Sequence, residues 1–290
     1  MCDEHTVEDN ERLLNGDLSR RQFNTLTVGA AVAMMLPRVA NAMDVVEQDV
    51  RIETADGIAD CYFVHPASGV HPGVVVWPDI LGLRPAFRQM GKRLAESGYA
   101  VLVINPYYRD APSPVVKVGD SFADPDVRAH VLPFARALSA DTTAMDARAF
   151  VDFLDAQDAV DTRRGIGTTG YCMGGPMVMQ AAATVPERIH AAATFHGGGL
   201  ATGEPNSPHL LIPEMEASFL IAIAANDDER DPDAKVTLRE AFDAVGLPAE
   251  IEVYEGAMHG WCPPDSRVYD EAQAERAWSR LLVLFETALA

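Results

Sequence analysis

The chain has 290 residues, 48% hydrophobic and 23% charged, with 43 acidic against 23 basic side chains and a formal net charge of −20. That length and balance suit one large soluble domain, or one domain with an extension. So acidic a surface is repelled by nucleic acid and by anionic membranes, so neither nucleic-acid binding nor stable membrane association is expected.

Residues 1–42 read as a leader rather than as part of the fold. Ser19-Arg20-Arg21-Gln22-Phe23 precedes a mild apolar stretch from Leu26 to Leu36, and Ala40-Asn41-Ala42 supplies an A-x-A cleavage site. The stretch is too short for a comfortable membrane span. The Arg20-Arg21 pair resembles the twin-arginine export signal, which implies transient contact with the twin-arginine machinery and a periplasmic or secreted protein. The other reading is an amphipathic N-terminal helix of a cytoplasmic protein. Cleavage after Ala42 leaves a domain of residues 43–290 with 19 basic and 37 acidic groups and three of the four cysteines, Cys61, Cys172 and Cys262. Their wide spacing is not that of a disulfide framework. An odd count leaves at least one thiol free.

The rest follows an alternating pattern. Val50–Thr54 and Ile58–Val64 flank Ala55-Asp56-Gly57 and predict a hairpin with Asp-Gly at its turn. Pro72–Trp77 and Tyr99–Ile104 are continuous apolar runs, hence fully buried strands. Ala86–Glu96 between them is helical. An acidic, proline-containing stretch follows over residues 105–126, then a helix from Asp141 to Ala156. A short strand over residues 165–169, a helix over 176–183, strands over 189–195, 218–224 and 250–254, and helices over 232–245 and 270–289 complete the chain. A hairpin followed by alternating strands and helices predicts an α/β fold of the α/β-hydrolase kind. The sheet is mostly parallel with an antiparallel N-terminal edge, and helices cover both faces. Sites in such sheets lie beyond the carboxyl ends of the strands.

Gly170-Tyr171-Cys172-Met173-Gly174-Gly175 joins one of these strands to its helix. The pattern is that of a nucleophile elbow, G-x-S-x-G, with Cys in place of Ser. The sharp turn demands small residues two before and two after the nucleophile, and Gly170 and Gly174 meet that demand. The helix N-terminus then faces the Cys172 sulfur and favours its thiolate. The Met173 N–H is placed to donate to an oxyanion. The alternative is a small packed cysteine in a tight turn.

A base and an acid follow in the required order. Asn226-Asp227-Asp228 ends one strand, and His259, within Ala257-Met258-His259-Gly260-Trp261, ends the last. His259 is the candidate base and Asp227 the candidate that holds its tautomer. Asp228 stands as the alternative acid, or as a cap for the following helix. After the Pro72–Trp77 strand comes Pro78-Asp79-Ile80-Leu81-Gly82, in which the Ile80 N–H is the second candidate oxyanion donor. Asp79 is either a turn-forming acid or a site residue. Arg109 is either a surface partner of Asp110 or a fork for a substrate carboxylate.

These residues together resemble the dienelactone hydrolase family over residues 48–288. The markers are the elbow at 170–175, Asp79-Ile80-Leu81-Gly82, Tyr108-Arg109, Asn226-Asp227 and His259-Gly260-Trp261. The resemblance implies a cofactor-free hydrolase of enol-lactones or related esters, and the chain shows no zinc-type Cys/His spacing, so no metal is expected. It implies a Cys172, His259, Asp227 triad and an acidic residue at position 79 that activates the thiol. Asp79 stands where the best-known members carry Glu. Pro263 stands where they carry a second substrate-binding Arg. A generalist esterase, or a non-catalytic protein using Cys172 for redox or ligand binding, are the remaining readings.

Overall fold

The computed structural model describes residues 6–11 and 36–290. The twin-arginine motif and most of the apolar stretch after it lie outside the described residues.

Eight strands form one sheet: β1 (Val45–Thr54), β2 (Gly57–Pro66), β3 (Gly73–Trp77), β4 (Ala100–Val103), β5 (Ile166–Tyr171), β6 (Ile189–Phe195), β7 (Ser218–Ala224) and β8 (Ala249–Tyr254). Their spatial order is β1-β2-β4-β3-β5-β6-β7-β8. β1 and β2 are antiparallel, and β2 runs antiparallel to β4. All later pairs are parallel. This is the α/β-hydrolase arrangement expected from the sequence. The hairpin strands extend further than predicted, and Thr54 pairs with Gly57, so Ala55 and Asp56 make the turn while Gly57, at φ +141°, opens β2.

Seven helices lie among residues 36–290: α1 (Pro85–Glu96), α2 (Pro125–Ala137), α3 (Ala140–Asp155), α4 (Gly174–Thr184), α5 (Ala225–Arg230), α6 (Ala234–Val245) and α7 (Glu271–Ala288). The strands feed two cores by their twofold alternation. Val75 and Trp77 of β3 pack with Phe150 of α3, Val178 of α4 and Phe242 of α6. Val74 and Val76 point the other way, toward Phe87 and Leu94 of α1 and Leu281 and Phe285 of α7. Local chemistry sets the helix starts. Pro85 opens α1, where its missing N–H has no partner to lose. Ser139 and Thr142 form a reciprocal capping box on α3, and Asp270 accepts from Gln273 N at the start of α7.

Helix α2 was not visible in the sequence. It buries Val131 alone and carries Pro133 within it, so neither periodicity nor composition marks it. Helix α5 also lies where the sequence suggests only a strand end.

Candidate active site

The chemistry-bearing residues gather beyond the carboxyl ends of the parallel strands. β3 pairs with β4 on one side and β5 on the other, so the chain's path across the sheet reverses there. A crevice opens at such a reversal. Cys172 follows β5 and Ile80 follows β3, one on each side of it.

Cys172 has φ +54°, rare for a side-chain-bearing residue. Such strain is worth about 1–3 kcal/mol. It is held by Cys172 N donating to Phe195 O at 3.0 Å and Gly175 N donating to Cys172 O at 3.0 Å. The flanking glycines are obligatory for the expected reason. A Cβ on Gly170 would lie 2.2 Å from Gly174 O, and one on Gly174 would lie 2.3 Å from Trp77 O. The turn therefore presses the start of α4 against the end of β3, bringing Met173 and Ile80 to the same place. Met173 precedes the first turn of α4, where backbone N–H groups find no partner in the helix. Tyr107 fixes both walls: its hydroxyl donates to Ile80 O at 2.8 Å and touches Met173 Sδ at 3.3 Å.

Asp227 Oδ2 lies 2.7 Å from His259 Nδ1. Asn226 Oδ1 accepts from the His259 N–H at 2.8 Å, which fixes the loop that carries the ring. The neighbouring acid is committed elsewhere: Asp228 receives Lys235 Nζ on both oxygens, at 2.6 Å each. It caps no helix. His259 is 3% exposed. Burial opposes its charge, but the Asp227 carboxylate, the Cys172 sulfur and hydrogen bonds to both win and lift the imidazole to about 10.

Asp79, Ile80, Arg84, Cys172, His196 and His259 line one cavity. Asp79 is present there, but its carboxylate is gripped by Arg84, with Nη1 and Nη2 on its two oxygens at 2.6 and 2.9 Å. It also accepts from Leu81 N at 2.9 Å. Burial pushes the Asp79 carboxyl up, against the pull of Arg84. Arg84 binds Asp265 as well, at 2.7 and 2.9 Å. Arg84, just before Pro85, escaped the sequence reading because a lone Arg in a loop carries no pattern.

Arg109 is not among the cavity residues. Its guanidinium binds Asp146 with two nitrogens, at 2.8 and 2.9 Å, and Asp56 with the third, at 2.9 Å. Its partners are thus not Asp110 but an acid on α3 and another on the hairpin turn. Tyr108 reinforces this clamp through Thr54 and Asp146. The expected substrate fork is a link between hairpin and helix, because Asp146 is nearly buried and needs the cation.

Two further contributors carry no mark in the sequence analysis. His196 directly follows β6 and is 1% exposed. Its position at a strand end was the available signal. Helical residues 6–11 cover part of the cavity, which Thr6, Val7, Asn10 and Glu11 help to line. Asn10 Nδ2 donates to His259 O at 3.2 Å, and Arg230 Nη2 reaches Asp9 Oδ2 at 2.5 Å. Cys61, Cys172 and Cys262 are all buried, and none of them forms a disulfide among the described residues.

A model of the dienelactone hydrolase family matches residues 59–289. The chain belongs to that family. This dienelactone hydrolase family member is 26% identical over 232 residues to a provisionally named carboxymethylenebutenolidase of Salmonella typhi, covering 77% of this chain and 81% of that one. It is 25% identical over 238 residues to the carboxymethylenebutenolidase of Rhodococcus opacus, covering 78% and 86%. A solved structure of a provisionally named dienelactone hydrolase from Klebsiella pneumoniae superposes with a TM-score of 0.71 at 24% identity, covering 84% of this chain and 99% of that one. That likeness is one of fold. Membership makes this protein a hydrolase acting on small molecules. No helix among its described residues is long and apolar enough to cross a membrane.

Proposed function

We propose that the protein hydrolyses a lactone or carboxylic ester through a Cys172 acyl-thioester, with His259 as base and Asp227 as the group that orients it. The observation that carries this is the 2.7 Å contact between Asp227 and His259, with the imidazole and Cys172 lining one cavity. An imidazole titrating near 10 is charged at neutral pH, and the Cys172 thiolate is the counter-charge it needs besides Asp227. The thiolate attacks the acyl carbon. The N–H groups of Ile80 and Met173 receive the oxyanion, and His259 protonates the leaving oxygen. His259 then takes a proton from water, which releases the acid. Asp79 fits this scheme as the counter-charge of Arg84 beside the sulfur. The names of the relatives favour an enol-lactone or kindred ester as substrate, and Arg109 has no part in gripping it. A panel of enol-lactones and aryl esters tests the reading. Failure of the purified protein to turn over any member would reject it.

The charged imidazole predicts a pH signature. His259 keeps its proton from acid up to about 10, so the ion pair with the thiolate persists across the neutral range. Labelling of Cys172 by iodoacetamide should therefore stay nearly flat from about pH 6 to 9. In His259→Asn it should climb through about pH 8.5, as for an ordinary thiol. A wild-type rate that climbs in the same way removes the ion pair.

We also propose that residues 1–42 are an export leader and residues 43–290 the working domain. Residues 40–44 are exposed, and the first strand begins only at Val45. Cleavage after Ala42 would leave the sheet whole and remove the helix over the cavity. A protein starting at Met43 should fold normally and show a higher kcat/KM for bulky esters, about fivefold for a capping contact worth about 1 kcal/mol. Lysine at positions 20 and 21 should retain uncleaved protein in the cytoplasm. An uncleaved protein found only in the cytosol with its arginines intact would show the segment to be an ordinary extension.

A further inference from the structure

His196 has features that packing alone does not explain. It is the residue immediately after β6, its side chain is 1% exposed, and its backbone sits at φ +41°. The strain is held by His196 N donating to Ala222 O at 2.8 Å. The ring stacks edge-on against His259, with centroids 5.1 Å apart, and against Trp261, at 5.0 Å. Neither Nδ1 nor Nε2 makes a hydrogen bond of regular geometry among the described residues. The Cys172 sulfur lies close enough to act on the ring, both by its charge and as a hydrogen-bonding neighbour. Burial, aided by the charge on His259, holds the imidazole below its ordinary value, so the ring is neutral. A buried imidazole whose nitrogens find no neighbour but the Cys172 sulfur, in a strained backbone, is an unfavourable way to fill space, for which Phe or a smaller residue would serve better. Once that sulfur is acylated, the ring nitrogens are open to a partner that enters the cavity.

We propose that His196 is a second catalytic imidazole, which binds the water that hydrolyses the Cys172 thioester. This rests on the thioester reading above. In the acyl-enzyme the sulfur is esterified and no longer engages His259. One proton of an entering water can then go to His259. The other hydrogen needs an acceptor to fix the oxygen's direction, and a neutral imidazole beside His259 offers one. In the step, the water oxygen bonds to the acyl carbon and its proton passes to His259. The carbon–sulfur bond breaks and its electron pair returns to Cys172. The products are a carboxylic acid and the thiolate–imidazolium pair. His196 gains no net proton. It cannot replace His259 as the base, because no carboxylate orients it.

The inference separates acylation from deacylation, so burst kinetics on p-nitrophenyl acetate test it. His196→Phe keeps the ring and its stacking but loses both nitrogens. The first-turnover burst should stay within about threefold of wild type while steady turnover falls about a hundredfold, and mass spectrometry should find acetyl accumulating on Cys172. Asn places an amide near the position of Nδ1 and suits a positive φ, while Gln reaches toward that of Nε2. One of these two variants should recover about tenfold of the lost turnover. Turnover of His196→Phe within about threefold of wild type overturns the inference, and so does parallel loss of burst and turnover with no rescue. A wild type that turns over without forming any thioester, or that is inert, overturns the thioester reading and this inference with it.

Discussion

Cys172→Ala is expected to lose hydrolysis of every ester the wild type accepts, by on the order of 10⁴-fold or more. The elbow presents a single nucleophile. The residues flanking Cys172 are Tyr171 and Met173, and the other two buried thiols are held unreactive, since burial pushes Cys61 up to about 12 and Cys262 well above the ordinary thiol value. The variant should fold normally, because Ala fits where Cys fits and the strain at φ +54° belongs to the backbone. Cys172→Ser should also fold but lose most of the rate. A hydroxyl is far harder to ionise than a thiol, and a His259 that stays protonated at neutral pH cannot take the proton a serine would have to give up. Steady-state kcat/KM on one aryl ester, with circular dichroism as a fold control, decides the matter. An Ala variant of full activity would end the nucleophile assignment.

Asp227→Asn is the second large effect, expected at roughly 10³–10⁴-fold in kcat. The carboxylate at 2.7 Å from His259 Nδ1 fixes which nitrogen carries the proton and raises the basicity of the other. An amide of the same shape can accept that hydrogen bond, but can also turn its NH₂ toward Nδ1 and hold the wrong tautomer. Losing the Asp227 charge also removes a main support for the imidazolium, so the labelling profile of Cys172 should begin to climb with pH. Asp228→Asn breaks only the ion pair with Lys235, which is about one-fifth exposed. Its expected cost is within about 1 kcal/mol of stability, with kcat/KM nearly unchanged. If Asp228→Asn instead proved the more damaging to kcat/KM, the acid would have to move by one residue.

The amino-acid sequence by itself determined the order of the strands and of most helices, the sharp turn at Cys172, and which residues stand as candidate nucleophile and base. Each of these is written in local chemistry. Apolar runs mark buried strands, Gly170 and Gly174 mark a turn that no larger residue could make, and His259 closes the last strand. The choice between Asp227 and Asp228 could not be read from the chain, because neighbouring acids share one local context and differ only in what they face after folding. Tertiary structure gave one to His259 and the other to Lys235. The same holds for arginines. Arg109 looked like a site residue because it follows a strand, yet Asp146 on α3 and Asp56 on the hairpin claim its guanidinium. Arg84, which no pattern marks, reaches Asp79 across five residues and Asp265 across 181. His196 and the helix over residues 6–11 became visible only when β6 and the N-terminal segment were seen to meet the cavity. Pairings of this kind depend on which strands become neighbours, a long-range fact set by burial of the whole sheet rather than by any one stretch of sequence.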